Sequence, residues 1–564
     1  MIVYVLTLLG GTWLAWSLIA MELNYRRAIA MGIPAIRQCF DGSNFIWMMA
    51  EAPVWSFLDK LGVELGSFRY SRRGWYFYDQ AKTHIRLGPV WALVSPRGII
   101  LYVADSEIVN EIFQRRSDFI RPFEGYKILE IYGPCISTAD QDNWARHRKV
   151  VATPFNESAM SFVWDESIKQ SEQMVKTWTS PGHGHIKSAA QDTRTVSLNV
   201  LAATGFRKSY PFQSANDPQM ANPANTASYR DNLQIVLDNI IMLLVIPRKI
   251  LTLPFAPASW HTVAKASVGF QNYMAQMLDE ETKAMNENKA GSGSMMTSFV
   301  RAMDLNQKTS SQGKATGSSS KGLSVDEIFG NMFTINFAGH DTTANTLSFV
   351  MILLSAYPEV QEWVAEELQQ LTPEEMKMKG QYTNVFSKLH RCQALMHETL
   401  RIFAPVAIIM KRTGSQSQQL IVGHKSIIIP PKTGVWINMS GIHVHPKYWE
   451  DPMKWNPYRW IQTPSNLEKP STLQDERLIT PARCTYFPWS EGAQNCPGNK
   501  FSQVEFVAVM AHLLRDHRIH AVPNPGETTG QLQSRILAVT RDVDLQLLIR
   551  MRDADRVQLS CRRV

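Results

Sequence analysis

The 564-residue sequence predicts a mainly helical protein with small β-sheets, an α+β fold built around one long buried helix. Three observations predict it. Ser324-Val-Asp-Glu327 is a capping box, and no helix breaker follows until Pro358. That run allows roughly 30 helical residues, about 45 Å of rod, well beyond the usual globular helix. After Val103, helical apolar periodicity prevails for about two hundred residues, with prolines and glycines as punctuation. Strand-like patterns are short by contrast. The clearest is Val90–Val103, VWALVSPRGIILYV, which reads as two strands around Pro96-Arg97-Gly98.

From the amino terminus, residues 1–21 carry no charge. At about 1.5 Å per residue they are long enough to span a bilayer, with Tyr4, Trp13 and Trp16 suited to its interfaces. Without a basic start or a small-x-small cleavage site, the run is expected to be a transmembrane signal anchor over residues 1–22 rather than a cleaved leader. Arg26, Arg27 and Arg37 follow it, which by the positive-inside rule leaves residues 23–564 in the cytosol, anchored by a single pass in the endoplasmic reticulum membrane. Residues 40–85 are aromatic-rich without a clean period.

Trp144 and Arg148 stand one helical turn apart in Trp-Ala-Arg-His-Arg. An indole N–H and a guanidinium are both donors, suited to paired carboxylates, although an ordinary basic helix has the same pattern. Residues 286–322 include the low-complexity TSSQGKATGSSSKG and are expected to form an exposed flexible loop inside one domain, since motifs on both sides belong to one site. Within the long helix, Gly339-His340-Asp341-Thr342 places a glycine that costs about 1 kcal/mol relative to alanine, so a packing or functional reason is expected. A glycine followed by an acid and two hydroxyls can open the helical ladder and leave a groove for a small molecule. Glu398 and Arg401 sit at i and i+3 on a helix heading into the core, where a charged pair needs further partners, and Arg459 is available. Lys411-Arg412 follows the strand-like Val406–Met410.

The most specific segment is Trp489-Ser-Glu-Gly-Ala-Gln-Asn-Cys-Pro-Gly498, running into an apolar-periodic helix from Phe501. A cysteine at a helix start feels the positive end of the macrodipole and free N–H groups, which favour thiolate. Gly492 and Gly498 bracket Cys496 and allow a flat cofactor to approach the backbone, while Pro497 suits the turn into the first helical position. This loop resembles the cysteine-ligand loop of the cytochrome P450 family of haem-thiolate monooxygenases. The other motifs occur once each and in that family's order, so the resemblance covers roughly residues 85–545, and the cysteine loop is similar to fungal secondary-metabolism members.

The resemblance implies a cytochrome P450 fold and haem b, with the iron held by the thiolate of Cys496. Trp144, Arg148 and Arg412 (or its neighbour Lys411) would contact the haem propionates, and Trp489, Gly492 and Gly498 would shape the loop against the ring. Thr342 would hydrogen-bond at the oxygen-binding position and Asp341 would feed protons toward it. Glu398, Arg401 and Arg459 would lock the segment beneath the haem. Two departures stand out: Gln494 replaces the usual Arg or His, predicting weaker haem retention, and Trp489 replaces the usual Phe.

The activity implied is insertion of one oxygen atom from O2 into a lipophilic molecule, a terpenoid, polyketide or similar scaffold, probed by apolar segments at Phe119–Ile136, around Phe337 and at Val406–Ile409. An NADPH-dependent reductase would supply electrons to a monomer. Rival readings are a haem-thiolate isomerase or dehydratase that does not use O2, or a non-catalytic haem-binding protein. A nucleophilic Cys496 paired with His443 or His445 has no supporting feature. With 58 basic and 50 acidic residues the chain is only mildly basic, which suits a membrane surface or an acidic partner protein and offers no nucleic-acid site. Six scattered cysteines without a CxxC pair exclude a disulfide framework and make structural zinc improbable.

Overall fold

Ser324 opens the long helix as its sequence demands. Its hydroxyl accepts the Glu327 N–H at 3.2 Å, and the Glu327 carboxylate accepts the Ser324 N–H at 2.8 Å. The helix runs Val325–Ala356, and Pro358 starts the next one at its first turn. The computed structural model describes residues 2–39, 45–62, 66–181, 184–215, 229–287, 295–311, 322–372, 375, 382–463, 472–545 and 548–564.

The long helix is buried along most of its length, because both of its faces are apolar and other helices cover them. Its largest neighbour is the helix Ala189–Phe206. Gly330 is required on the opposite side: a Cβ there would lie 2.2 Å from the Gly133 carbonyl oxygen. The Gly339 position is tight too, with Leu201 Cδ2 3.0 Å from where a Cβ would stand. The sequence-level cost of that glycine is therefore offset by close helix packing. Behind this layer, the helix Glu157–Trp178 packs on the helix Asn499–Asp516 that follows the cysteine loop.

The Val90–Val103 run forms the antiparallel pair it predicts, Val90–Ser95 against Gly98–Val103, in register from Val90↔Val103 to Ser95↔Gly98. The pair sits within a six-stranded mixed sheet. Ala35–Arg37 lies on one side of it, and Gly434–Asn438, Ile408–Thr413 and Phe119–Ile120 follow on the other. Phe119–Ile120 pairs with Ile408–Thr413, and Ile136 N–H donates to Asn331 Oδ1 on the long helix at 2.9 Å. The three segments expected to line a pocket are thereby tied to one another.

Two expectations change. The amino-terminal helix extends Ile2–Ala30, past the expected span 1–22. Its carboxyl-terminal part is a packing element: Asn24 donates to the Ser95 carbonyl at 3.1 Å, Glu22 pairs with Arg26 and Arg37, and Ala28 is buried against the sheet. Among the described residues no helix is long and apolar enough to cross a membrane, so the transmembrane assignment is not supported. The side chains of Ile2, Val3, Val5 and Leu6 lie outside that description. The interval 286–322 is also not a loop throughout. Met295–Ser311 is helical, anchored by buried Met295, Met296, Phe299 and Val300, an apolar set hidden between the polar tracts. Residues 288–294 and 312–321, including most of the low-complexity run, lie outside the described residues.

Candidate active site

The cysteine loop is closed by its own backbone. The Cys496 N–H donates to the Trp489 carbonyl at 2.8 Å, and the Asn495 N–H reaches the Gly492 carbonyl at 3.2 Å. Gly492 has φ +74°, the left-handed conformation that favours glycine, and Ser490 is held at φ +63° beside it. Trp489 is fixed by its indole N–H on Ser502 Oγ at 3.0 Å, in the first turn of the following helix. That helix begins at Asn499, with Gly498 as its N-cap. Pro497 lies in the turn that leads into the cap, as expected.

Cys496 is exposed, yet burial raises its thiol pKa, an effect the Gly498 N–H and the Arg148 guanidinium only partly offset. Cys496 is thus accessible at its surface while surrounding protein desolvates its thiol. The helix dipole alone does not make it a thiolate; a bound metal cation would.

Cations gather around the loop. Arg148 donates to the Asn495 carbonyl and Asn495 Oδ1, both at 2.7 Å, clamping the loop. Lys411 is buried and donates to Gln494 Oε1 at 2.8 Å. Arg121 donates to the Ile136 and Ser137 carbonyls at 3.2 Å. Arg121 depresses the pKa of both Arg148 and Lys411 after desolvation, which pushes Lys411 down to about 8. Among the described residues none of the three forms an ion pair. Three mutually repelling cations gathered beside a desolvated thiol fit a flat ligand that carries carboxylates at its edge and a metal at its centre. Trp144 is half-buried in the same helix as Arg148, with the Arg116 guanidinium 5.8 Å from its ring centroid. Arg412 is elsewhere. It pairs with Glu124 at 3.0 Å, because neighbouring strand residues face opposite ways. Of the two basic residues, Lys411 is the one turned toward the cysteine loop.

On the long helix, Thr342 Oγ1 donates to the Ala338 carbonyl at 2.9 Å. Asp341 faces a different direction, with Oδ1 3.3 Å from Arg194 Nε and 3.5 Å from His340 Nε2. No hydrogen bond joins Asp341 to Thr342 among the described residues. The two groups are adjacent in sequence and about 100° apart around the helix.

Beneath the loop, Glu398 and Arg401 form a bidentate pair at 2.9 Å with both side chains 0% exposed. Arg459 reaches Glu398 Oε1 at 3.2 Å, and the Trp460 indole and Asn456 N–H satisfy the remaining acceptor positions at 2.9 and 2.8 Å. Arg401 also donates to the His443 carbonyl at 2.9 Å, and the His443 ring accepts the Phe487 N–H at 3.0 Å, two residues before Trp489. The buried triad is thereby wired to the start of the cysteine loop. His443 serves as a backbone clamp and is not placed as a base for Cys496.

The model of the family described as Cytochrome P450 matches residues 67–546. The chain belongs to the cytochrome P450 family. A cytochrome P450 monooxygenase of Arthrobotrys oligospora is 27% identical over 96% of this chain and 95% of its own. A cytochrome P450 monooxygenase of the phomenoic acid biosynthesis cluster of Leptosphaeria maculans is 26% identical over 92% of each. The crystal structure of the cytochrome P450DA heme domain superposes with a TM-score of 0.64 at 16% identity, over 94% of this chain and 98% of that one, which confirms the fold. As a cytochrome P450 the protein is a haem-thiolate monooxygenase, an oxidoreductase that incorporates oxygen from O2 with electrons from a redox partner. Its cofactor is haem with a cysteine thiolate on the iron.

Sequence reasoning passed over Arg121, Arg194 and the clamp by His443. Arg194 sits in the polar stretch Gln191–Thr195 and carried no signal of its own; Arg121 lay inside a segment read only for its apolar residues.

Proposed function

We propose that this cytochrome P450 oxygenates a lipophilic secondary metabolite, a terpenoid, polyketide or similar scaffold, with Cys496 as the iron ligand. The observation that carries the assignment is Cys496, accessible yet with its thiol desolvated, in a loop held by Arg148 and Lys411 with Arg121 beside them, three cations that form no ion pair among the described residues. Bound there, haem supplies the activation of O2. Arg148, Lys411 and Arg121 would bind the propionates, with Trp144 adding an indole donor. Gly492 and Gly498 would leave room for the ring at the loop, which Trp489 buttresses through Ser502.

Thr342 presents a hydroxyl on the same helix face as Ala338, where it can hold a proton in position. Asp341, tethered by Arg194, is the acid that replenishes it, through water, since the two side chains point apart. Phe337, Val406 and Ile408 give the substrate side its apolar character, which supports a greasy scaffold. The similarity to a monooxygenase of a biosynthetic cluster supports secondary metabolism as the setting.

The electron donor in this reading is an NADPH-dependent reductase, and the enzyme works as a monomer attached to the endoplasmic reticulum membrane with its catalytic body in the cytosol. Leu8, Leu9, Trp13, Trp16 and Ile19 are exposed on the amino-terminal helix and support attachment through that surface.

The test is a screen of terpenoids and polyketides for a substrate-induced Soret shift. Each responder is then turned over with reductase, NADPH and isotopically labelled O2. One labelled oxygen per product molecule supports the reading. Conversion that proceeds without reductase or without label points instead to an isomerase or dehydratase.

A further inference from the structure

A second cavity, of about 410 Å³, lies among the carboxyl-terminal end of the long helix, the end of the helix His390–Ile402 and the helix Thr529–Arg541. Its lining includes none of the residues assigned above to haem. The walls are mostly apolar, with Phe77, Phe403, Trp455 and Leu537 contributing rings and a branched chain. The volume falls within the range of small-molecule sites.

Three features set it apart from a packing gap. Ser440 lines the cavity at 5% exposure, and its hydroxyl has no hydrogen-bond partner, although buried polar groups are normally satisfied. Gln80, also in the lining, holds a left-handed backbone with φ +57° that is strained for any residue but glycine. Lys454 and Arg541 are exposed members of the lining, and neither forms an ion pair among the described residues. An apolar chamber with an unsatisfied hydroxyl inside and two unpaired cations on its accessible part is complementary to one kind of molecule. We propose that this cavity binds a single-chain amphiphile through its carboxylate, with the chain against the aromatic walls and the head between Lys454 and Arg541.

The site touches the machinery beneath the haem without being part of it. Trp455 donates to Thr399 Oγ1 at 3.1 Å, and the Lys454 carbonyl accepts from Arg401 at 3.3 Å. Occupancy therefore bears on the segment 453–455 that the buried Arg401 holds.

The test uses the full-length, haem-loaded enzyme with its iron saturated by a bulky azole, which fills the substrate side. Binding of radiolabelled dodecanoate is then measured by equilibrium dialysis. One equivalent is expected to remain bound with the azole present. The double variant K454A/R541A is expected to weaken it about tenfold, as the loss of two exposed ion pairs allows. Leu537→Trp, which fills the chamber, is expected to abolish it, with an unchanged Soret band showing that each variant is folded. Dodecanol, lacking the charge, should bind as weakly to wild type as dodecanoate does to the double variant. Loss of all dodecanoate binding on adding azole, equal affinity in K454A/R541A, or equal affinity for dodecanol would each overturn the proposal.

Discussion

Lys411 Nζ donates a hydrogen bond to Gln494 Oε1 at 2.8 Å, so the uncharged residue in the cysteine loop is backed by a buried ammonium from the sheet. The charge that the loop lacks at Gln494 is supplied from eighty-three residues away in sequence. On this arrangement the sequence-level expectation of weak haem retention is offset by Lys411.

Lys411→Met should speed loss of haem to apomyoglobin at every pH. In wild type, desolvation and the neighbouring Arg121 bring the Lys411 pKa down to about 8, and Arg148 adds a third cation to the group. An anionic propionate beside Lys411 would hold its proton to higher pH, so haem binding takes up a proton above about pH 8. Retention should be flat below that value and fall as pH rises through it. Lys411→Arg should abolish the dependence, since guanidinium stays charged. Equal retention in Lys411→Met and wild type would remove Lys411 from the propionate site.

Asp341 and Thr342 should fail differently because they face different ways. Asp341→Asn is expected to slow turnover about 10²-fold or more while product remains tightly coupled to electron consumption. Thr342→Ala should keep electron uptake but raise peroxide release per NADPH oxidised. Identical coupling in the two variants would contradict separate roles.

Breaking the buried triad should be severe. Arg401→Leu removes the bidentate partner of Glu398 at 0% exposure, leaving only Arg459 at 3.2 Å as a charged partner, and frees the His443 carbonyl. The expected loss is about 3–5 kcal/mol in denaturant unfolding, with haem content falling in parallel. A variant of normal stability and haem content would show that the triad does not hold the cysteine loop.

Glu505 is fully buried on the helix behind the cysteine with the Ser197 hydroxyl nearby, and among the described residues neither carboxylate oxygen has a partner at bonding geometry. Burial pushes its pKa up to about 8, against the ordinary 4.5 of an exposed glutamate. The folded state therefore keeps a proton that the unfolded chain gives up, and stability falls progressively as pH rises from about 4.5 to about 8, then levels off. Glu505→Gln should flatten the decline of the melting temperature between about pH 5 and 8. An unchanged slope would mean that Glu505 is hydrated or paired in solution.

What the sequence made legible was whatever depends on local pattern. The capping box at Ser324 and the stop at Pro358 set the long helix, and the Pro96-Arg97-Gly98 turn set the first strand pair, because each is fixed by a few adjacent residues. The Glu398, Arg401 and Arg459 cluster was also within reach, since charges in an apolar helix require partners. Contacts across the fold were not. Which of Lys411 and Arg412 faces the loop depends on the register of Ile408–Thr413 against Gly434–Asn438, and the Asp341–Arg194 pair depends on how two helices cross. The helix Met295–Ser311 was hidden by polar tracts on both sides, and the amino-terminal helix by its uncharged start, which gave no sign that its second half packs on the sheet.

The most direct test of the account is the carbon monoxide spectrum of the dithionite-reduced holoprotein beside that of Cys496→Ala. A strongly red-shifted Soret band in wild type that disappears in the variant is the predicted result. A wild-type band at the position of imidazole-ligated haem, or a red-shifted band that survives in Cys496→Ala, would contradict the assignment of Cys496 as the iron ligand.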